Sequence, residues 1–323
     1  MPASGEMSRR DFFRKATVAS VAGVVSAAGA GLTAYGNNPR KMTMCLVCGA
    51  IGVSASQLEA IELAARHGFE SVEAYGGYLA LLSDEQMAEL KNLLKAKGLS
   101  FGAAGFPLDF RRDEAVFDQG LRDLPGFCAG LKRAGVRRTS TWIIPCDDKL
   151  TYLQNFRQHA SRLRKAARVL LEHDVRLGLE YVGPRTSWTA RRYPFIHTMA
   201  EMKDLIAEIG TGNVGFLLDS WHWWHAGDTV TDLLSLRAED VIAVDLNDAP
   251  AAVPKDEQVD NRRELPCATG VIDAGAFLNA LNQIGYDGPV RVEPFNQMLN
   301  KMTKEEACAT AARSLKKALA LIQ

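Results

Sequence analysis

Eight short apolar runs, each followed by a longer stretch of helical periodicity, narrow the folds open to this chain more than any other feature. The runs cover residues 42–47, 71–75, 100–104, 138–143, 176–182, 214–219, 241–246 and 290–293. They are rich in Val, Ile, Leu, Phe or Thr, which suit a pleated, half-buried surface. Strands that alternate with helices are parallel and joined by right-handed crossovers. Eight such units close on themselves, so the expected fold class is α/β, a single-domain (β/α)8 TIM barrel over residues 41–323. No Gly-x-Gly-x-x-Gly follows the first run, which argues against a dinucleotide fold.

Two helices announce their ends. Ser56 and Glu59 have the spacing of a capping box, after which Leu58, Ile61 and Ala65 are expected to share the buried face until Gly68 stops the helix. Ser83 and Gln86 repeat the device ahead of a stripe of Met87, Leu90 and Leu94, closed by Gly98. The polar stretch 249–266 is the main insertion and follows the seventh strand, on the side where barrel enzymes keep their chemistry.

Residues 1–40 are of a different kind. Ser8-Arg9-Arg10-Asp11-Phe12-Phe13-Arg14-Lys15 is basic and carries an arginine pair, and residues 16–38 hold no charge. A basic start, an apolar run and then small residues mark an export signal, here resembling a twin-arginine leader read by the Tat export machinery. Periplasmic or otherwise exported localisation is expected, with a membrane anchor if the leader is retained. No other stretch reaches spanning length, so the membrane is met only through the leader. The whole chain is balanced, 38 basic against 38 acidic residues, which gives no reason to expect nucleic acid as a partner. Cys45 and Cys48 fall in a strand-like stretch, where residues three apart face opposite ways, so buried thiols are expected rather than a disulfide or a chelate.

The chemistry is concentrated at the strand ends. The fifth run ends in Glu180, the sixth in Asp219, the seventh contains Asp245 and the eighth ends in Glu293. In a barrel these ends converge on one mouth. Clustered carboxylates there repel one another unless a cation neutralises them. All-oxygen ligands favour Mn²⁺ or Mg²⁺. The expected metal site is therefore Glu180, Asp219, Asp245 and Glu293.

These motifs resemble the xylose-isomerase-like barrel family of sugar isomerases and epimerases. The resemblance rests on Glu180, on Asp219-Ser220-Trp221-His222, on Arg263-Glu264-Leu265-Pro266 with Gly270-Val271-Ile272-Asp273, on Gly285-Tyr286-Asp287-Gly288-Pro289, and on Glu293-Pro294-Phe295. One departure stands out: the family has His-x-x-Asp at the seventh strand, and this chain has Asp245-Leu246-Asn247-Asp248. The resemblance implies a metal-dependent isomerase or epimerase that moves a proton next to a carbonyl through an enediolate. It makes Glu180 and Glu293 the catalytic acid and base, and His222 and Arg263 substrate-binding residues. Trp142, at the fourth strand end, is a candidate sugar platform, and Trp223, Trp224 and His225 are expected to pack.

The partner is then a small sugar or keto-sugar, unphosphorylated if the protein is exported; a homo-oligomer is left open. The runner-up is a lyase, a dehydratase or keto-glycoside eliminase that begins with the same proton abstraction. A non-catalytic sugar-binding barrel stands behind it. A phosphodiesterase is disfavoured by six histidines and zero net charge.

Overall fold

A computed structural model describes residues 39–323. The leader lies outside them. Eight parallel strands, β1 (Thr43–Leu46), β2 (Ser71–Ala74), β3 (Ser100–Gly105), β4 (Arg138–Trp142), β5 (Arg176–Glu180), β6 (Val214–Asp219), β7 (Val241–Asp245) and β8 (Pro289–Arg291), form a closed barrel in chain order. β8 closes onto β1 through Thr43↔Pro289 and Met44↔Val290. The expected (β/α)8 fold is the one observed. No helix among the described residues is long and apolar enough to cross a membrane.

Alternation along the strands divides the molecule into two compartments. On β5, Leu177 and Leu179 are fully buried against the helical ring. Gly178 and Glu180 point the other way, as the two-residue period requires. The barrel floor is polar and crowded: Arg138 donates to the Ile242 carbonyl at 3.0 Å and to Asp287 at 2.5 Å. A Cβ on Gly178 would sit 3.0 Å from the Ile242 Cβ and 3.2 Å from Leu217 N, so a side chain there would have to push its neighbours aside. Ala103, Leu217 and Ala243 form a small apolar cluster apart from the main core. The main core lies between sheet and helices, with Phe117 and Leu131 of Glu114–Ala134 and Leu163 and Leu170 of Tyr152–Glu172 fully buried.

Both capping boxes are formed. The first helix buries Ile61 as expected but not Leu58, which is 47% exposed; Gln57, Ala60, Ile61, Leu63 and Ala64 are the buried positions. Gln57 takes the inward place because β2 needs its amide. It donates to the Glu73 carbonyl at 3.0 Å and accepts from Tyr75 N at 2.7 Å. Cys45 and Cys48 are free and buried, and burial pushes their thiols up to about 12 and about 11.

Candidate active site

The barrel geometry brings the strand-end acids together. Asp219 and Asp245 are register partners on β6 and β7, and Trp142 is paired with Glu180 across β4 and β5. Glu293 lies two residues past β8, where the ladder has ended and its N–H is taken by Asn247 Oδ1 at 3.1 Å. Glu180, Asp245 and Glu293 each place a carboxylate oxygen within 4.8 Å of the others, and Glu180, Asp219 and His222 do the same with their ligand atoms. Glu180 belongs to both groups and is buried, with Oε1 lacking any hydrogen-bond partner.

An orphaned carboxylate oxygen among other carboxylates is costly in a dry site. It is what a divalent cation would satisfy, so the donor set fits one. The protonation balance reflects the same crowding. Burial, and then the charges of Glu293, Asp219 and Asp245, hold Glu180 well above the usual carboxylate range. Burial and Asp245 push Glu293 up to about 8. Burial pushes Asp219 up to about 6 against the pull of Arg263.

Arg263 comes from the loop after β7 and is buried, its guanidinium between the rings of Trp221 (5.6 Å) and Phe295 (4.8 Å). It donates to Asp219 Oδ2 at 2.7 Å, Glu293 Oε2 at 3.3 Å, Asp260 Oδ1 at 2.8 Å and the Asp260 carbonyl at 2.9 Å. The surface pairing with Glu264 that its position also permits is not the one formed. Asp219 is further held by Asn247 Nδ2 at 3.0 Å and Trp221 N at 2.8 Å.

His222 is buried on the short helix Ser220–Ala226, directly after β6. The Gly183 N–H donates to its Nδ1 at 3.2 Å. Gly183 has no room for a side chain, since a Cβ would sit 2.5 Å from the His222 carbonyl oxygen. Its Nε2 lies 3.3 Å from Arg263 Nη2, which can only donate, and faces Asp260 Oδ1 at 3.8 Å and Glu180 Oε2 at 3.9 Å. Burial pushes its pKa down to about 3, so the ring is neutral. Its place in the fold aims Nε2 into the mouth, between Arg263 and Glu180.

Asp245 is brought to the cluster and is also occupied. Arg291 donates Nε to its Oδ1 at 2.8 Å and Nη2 to its Oδ2 at 2.5 Å, and both residues are buried. Glu73 stands nearby; burial raises it, Arg291 opposes and Asp245 reinforces. Three site residues were not anticipated from sequence: Arg291, Asp260 and Asn247. Arg291 was readable, since it precedes Glu293 by two and a strand period of two sends both inward. Asn247 was readable from Asp245 in the same way. Asp260 sits in an irregular loop, which offers no such period.

Trp142 is 46% exposed at the mouth, with the Arg111 guanidinium 4.7 Å from its ring and 4.4 Å from that of Phe110. Arg111 Nη2 also donates to Thr141 Oγ1 at 2.7 Å, which props the end of β4. Trp223 packs at 5.4 Å from Phe277, and His225 contacts Gln258 Oε1 at 3.2 Å and the Trp221 ring. A cavity of about 570 Å³ borders the acid cluster through Arg263 and is lined by Val253, Val259, Phe295 and Met298 among others. Beneath this rim, Asp248 accepts from the N–H groups of Ala249, Thr269, Gly270 and Ile272 at 2.7–3.0 Å, which folds the whole loop back onto the barrel.

Comparison with known proteins agrees with this architecture. Residues 61–318 match the model of a family described as xylose isomerase-like TIM barrel. An inosose isomerase of Bacillus velezensis is 24% identical over 257 residues, 78% of this chain and 88% of that protein. Among solved structures, a xylose isomerase domain protein from Alicyclobacillus acidocaldarius is 32% identical with a TM-score of 0.76, covering 87% of this chain and 99% of its own. An IolI protein with a bound zinc atom is 22% identical with a TM-score of 0.71, covering 86% and 98%.

Proposed function

We propose that this chain, which belongs to the xylose isomerase-like TIM barrel family, is a divalent-metal-dependent isomerase or epimerase of a free sugar or keto-sugar. The observation that carries the reading is the pair Glu180 and Glu293, two carboxylates with raised proton affinity whose oxygens approach within 4.8 Å at one barrel mouth. The isomerase relative and the zinc-bearing structural neighbour support it.

Glu180, Asp219 and Glu293 would hold the cation, with oxygen donors that favour Mn²⁺ or Mg²⁺. When bound, the metal acts as a Lewis acid on a substrate carbonyl. The protein supplies the rest. One glutamate takes the proton from the carbon beside the carbonyl, leaving an enediolate. The other returns a proton to the neighbouring carbon for isomerisation, or to the opposite face of the same carbon for epimerisation. His222, with Nε2 beside Arg263 Nη2 and Glu180, binds a substrate oxygen at the mouth. Arg263, committed to Asp219, Asp260 and Glu293, fixes the acids and offsets their charge. Trp142 offers a ring face to the sugar at the rim. The leader supports export and hence an unphosphorylated substrate; amino-terminal sequencing of the secreted protein tests that part.

Incubation of metal-replete protein with free ketoses and inososes in D2O tests the reaction. Deuterium should enter at the carbon beside the carbonyl with mass otherwise conserved, and Glu180→Gln and Glu293→Gln should each abolish it. Exchange that persists in both variants would remove the two glutamates from the mechanism, and a product lighter by water or an alcohol would replace isomerisation by elimination.

A further inference from the structure

We propose that Arg291 and Asp245 are a counter-ion couple standing in for a fourth metal ligand: Asp245 stays off the cation, and Arg291 sets how tightly the other carboxylates hold it. The inference rests on the metal reading above.

The geometry carries it. Asp245 and Arg291 are register partners on β7 and β8, so their side chains leave the sheet together and meet inside the barrel. The contact is two-pointed, at 2.8 and 2.5 Å, and uses both carboxylate oxygens. Arg–carboxylate forks of this kind are among the stronger hydrogen-bonded ion pairs. Side-chain exposure is 11% for Arg291 and 3% for Asp245. Were Asp245 to turn onto a metal, the guanidinium would be left buried without its partner, which is strongly unfavourable. Glu180 presents the opposite case, with an oxygen that has no partner.

The charges follow a simple logic. A histidine at this position, as in the family pattern, contributes a neutral ring. Asp245 with Arg291 contributes a neutral pair. The formal charge facing the cation is then the same, while the direct donor is lost. Arg291 also faces Glu293, Glu73 and Cys45 from the strands around it. Its positive charge therefore lowers the field that Glu293 presents to the metal, and makes Arg291 a positioning residue for the site.

The test is Mn²⁺ binding to metal-free protein, read as free Mn²⁺ by electron paramagnetic resonance, for wild type, Asp245→Asn, Arg291→Gln and the double variant. Asp245→Asn should weaken Mn²⁺ by about tenfold or more, the scale seen when a residue supporting a ligand is lost, because a bare guanidinium then faces the ligands. Arg291→Gln should tighten it, since a free carboxylate is added. The double variant should return to within about threefold of wild type, the scatter of near-additive changes. A double variant as weak as Asp245→Asn would overturn the inference and place Asp245 on the cation. If Asp245→Asn alone does not fold, the double variant against wild type decides the question. Absence of Mn²⁺ binding by the wild type would instead sink the metal reading, and this inference with it.

Discussion

Glu180→Gln should separate stability from function in a way that few substitutions can. Glu180 is buried, its Oε1 has no partner, and carboxylate oxygens of Asp245 and Glu293 lie within 4.8 Å. At that separation and an effective dielectric of about 20, two ionised carboxylates repel by about 3.5 kcal/mol. In the metal-free protein burial and these charges hold the proton affinity of Glu180 well above the usual carboxylate range, which relieves the repulsion. A glutamine has nearly the shape of a protonated glutamate. At pH 4 without metal, where the carboxyl is protonated in both folded and unfolded chains, the variant should unfold within about 1 kcal/mol of wild type, one unpaired polar oxygen replacing another. As pH rises above the ordinary carboxylate range it should become the more stable of the two, because the unfolded wild type ionises and the folded one does not. With Mn²⁺ at one hundred times its dissociation constant, the wild type should gain about 2.7 kcal/mol. That corresponds to a rise of roughly 4 °C in Tm for a chain of this size. The variant should gain little and should lose activity by about two to four orders of magnitude, the scale of a proton-transfer group. Differential scanning calorimetry in EDTA and in Mn²⁺ gives both numbers. A metal-free variant several kcal/mol less stable than wild type would mean that the Glu180 carboxylate is a structural group. Equal Mn²⁺ shifts in the two proteins would mean that it does not touch the cation.

Two further outcomes follow from the same site. Between pH 6.5 and 8.5 the unfolded chain has released its carboxyl protons, whereas the folded metal-free protein still holds those of Glu180 and Glu293, whose pKa values are raised. More protons bound in the folded state means that stability falls as pH rises. His159, His222 and His225, all depressed by burial, oppose the decline near pH 6.5, where their unfolded rings are half charged, and are neutral in both states from about pH 7.5 upward, so the decline is read there. Urea unfolding in EDTA should show this decline, and Glu293→Gln should flatten it; a level wild-type profile would contradict the assignment. Away from the cation, Asp248→Asn removes one of two carboxylate oxygens that together accept four backbone N–H groups. It should destabilise by about 2–3 kcal/mol, seen as a lower urea midpoint, and a change below about 0.5 kcal/mol would show that the loop is held by other contacts.

The sequence alone determined the number and order of strands and the acids at their ends, because both are local. A strand is a period of two over a few residues, a helix a period of 3.6, and a parallel barrel sends every strand end to one mouth. Glu180, Asp219, Asp245 and Glu293 therefore met where their positions predicted. Which partner each acid took was decided by the tertiary structure. Asp245 pairs with Arg291 because the β7–β8 register sets them side by side, and register is a relation between segments 46 residues apart. Arg263 became the countercharge of the acids, rather than a surface cation, because Asp248 folds its loop inward and Trp221 and Phe295 enclose it. Leu58 lost the buried face of its helix to Gln57 because β2 offered a carbonyl and an N–H that only an amide could satisfy together. In each case the local pattern admitted several partners, and burial selected the one that left no charge or hydrogen-bonding group stranded.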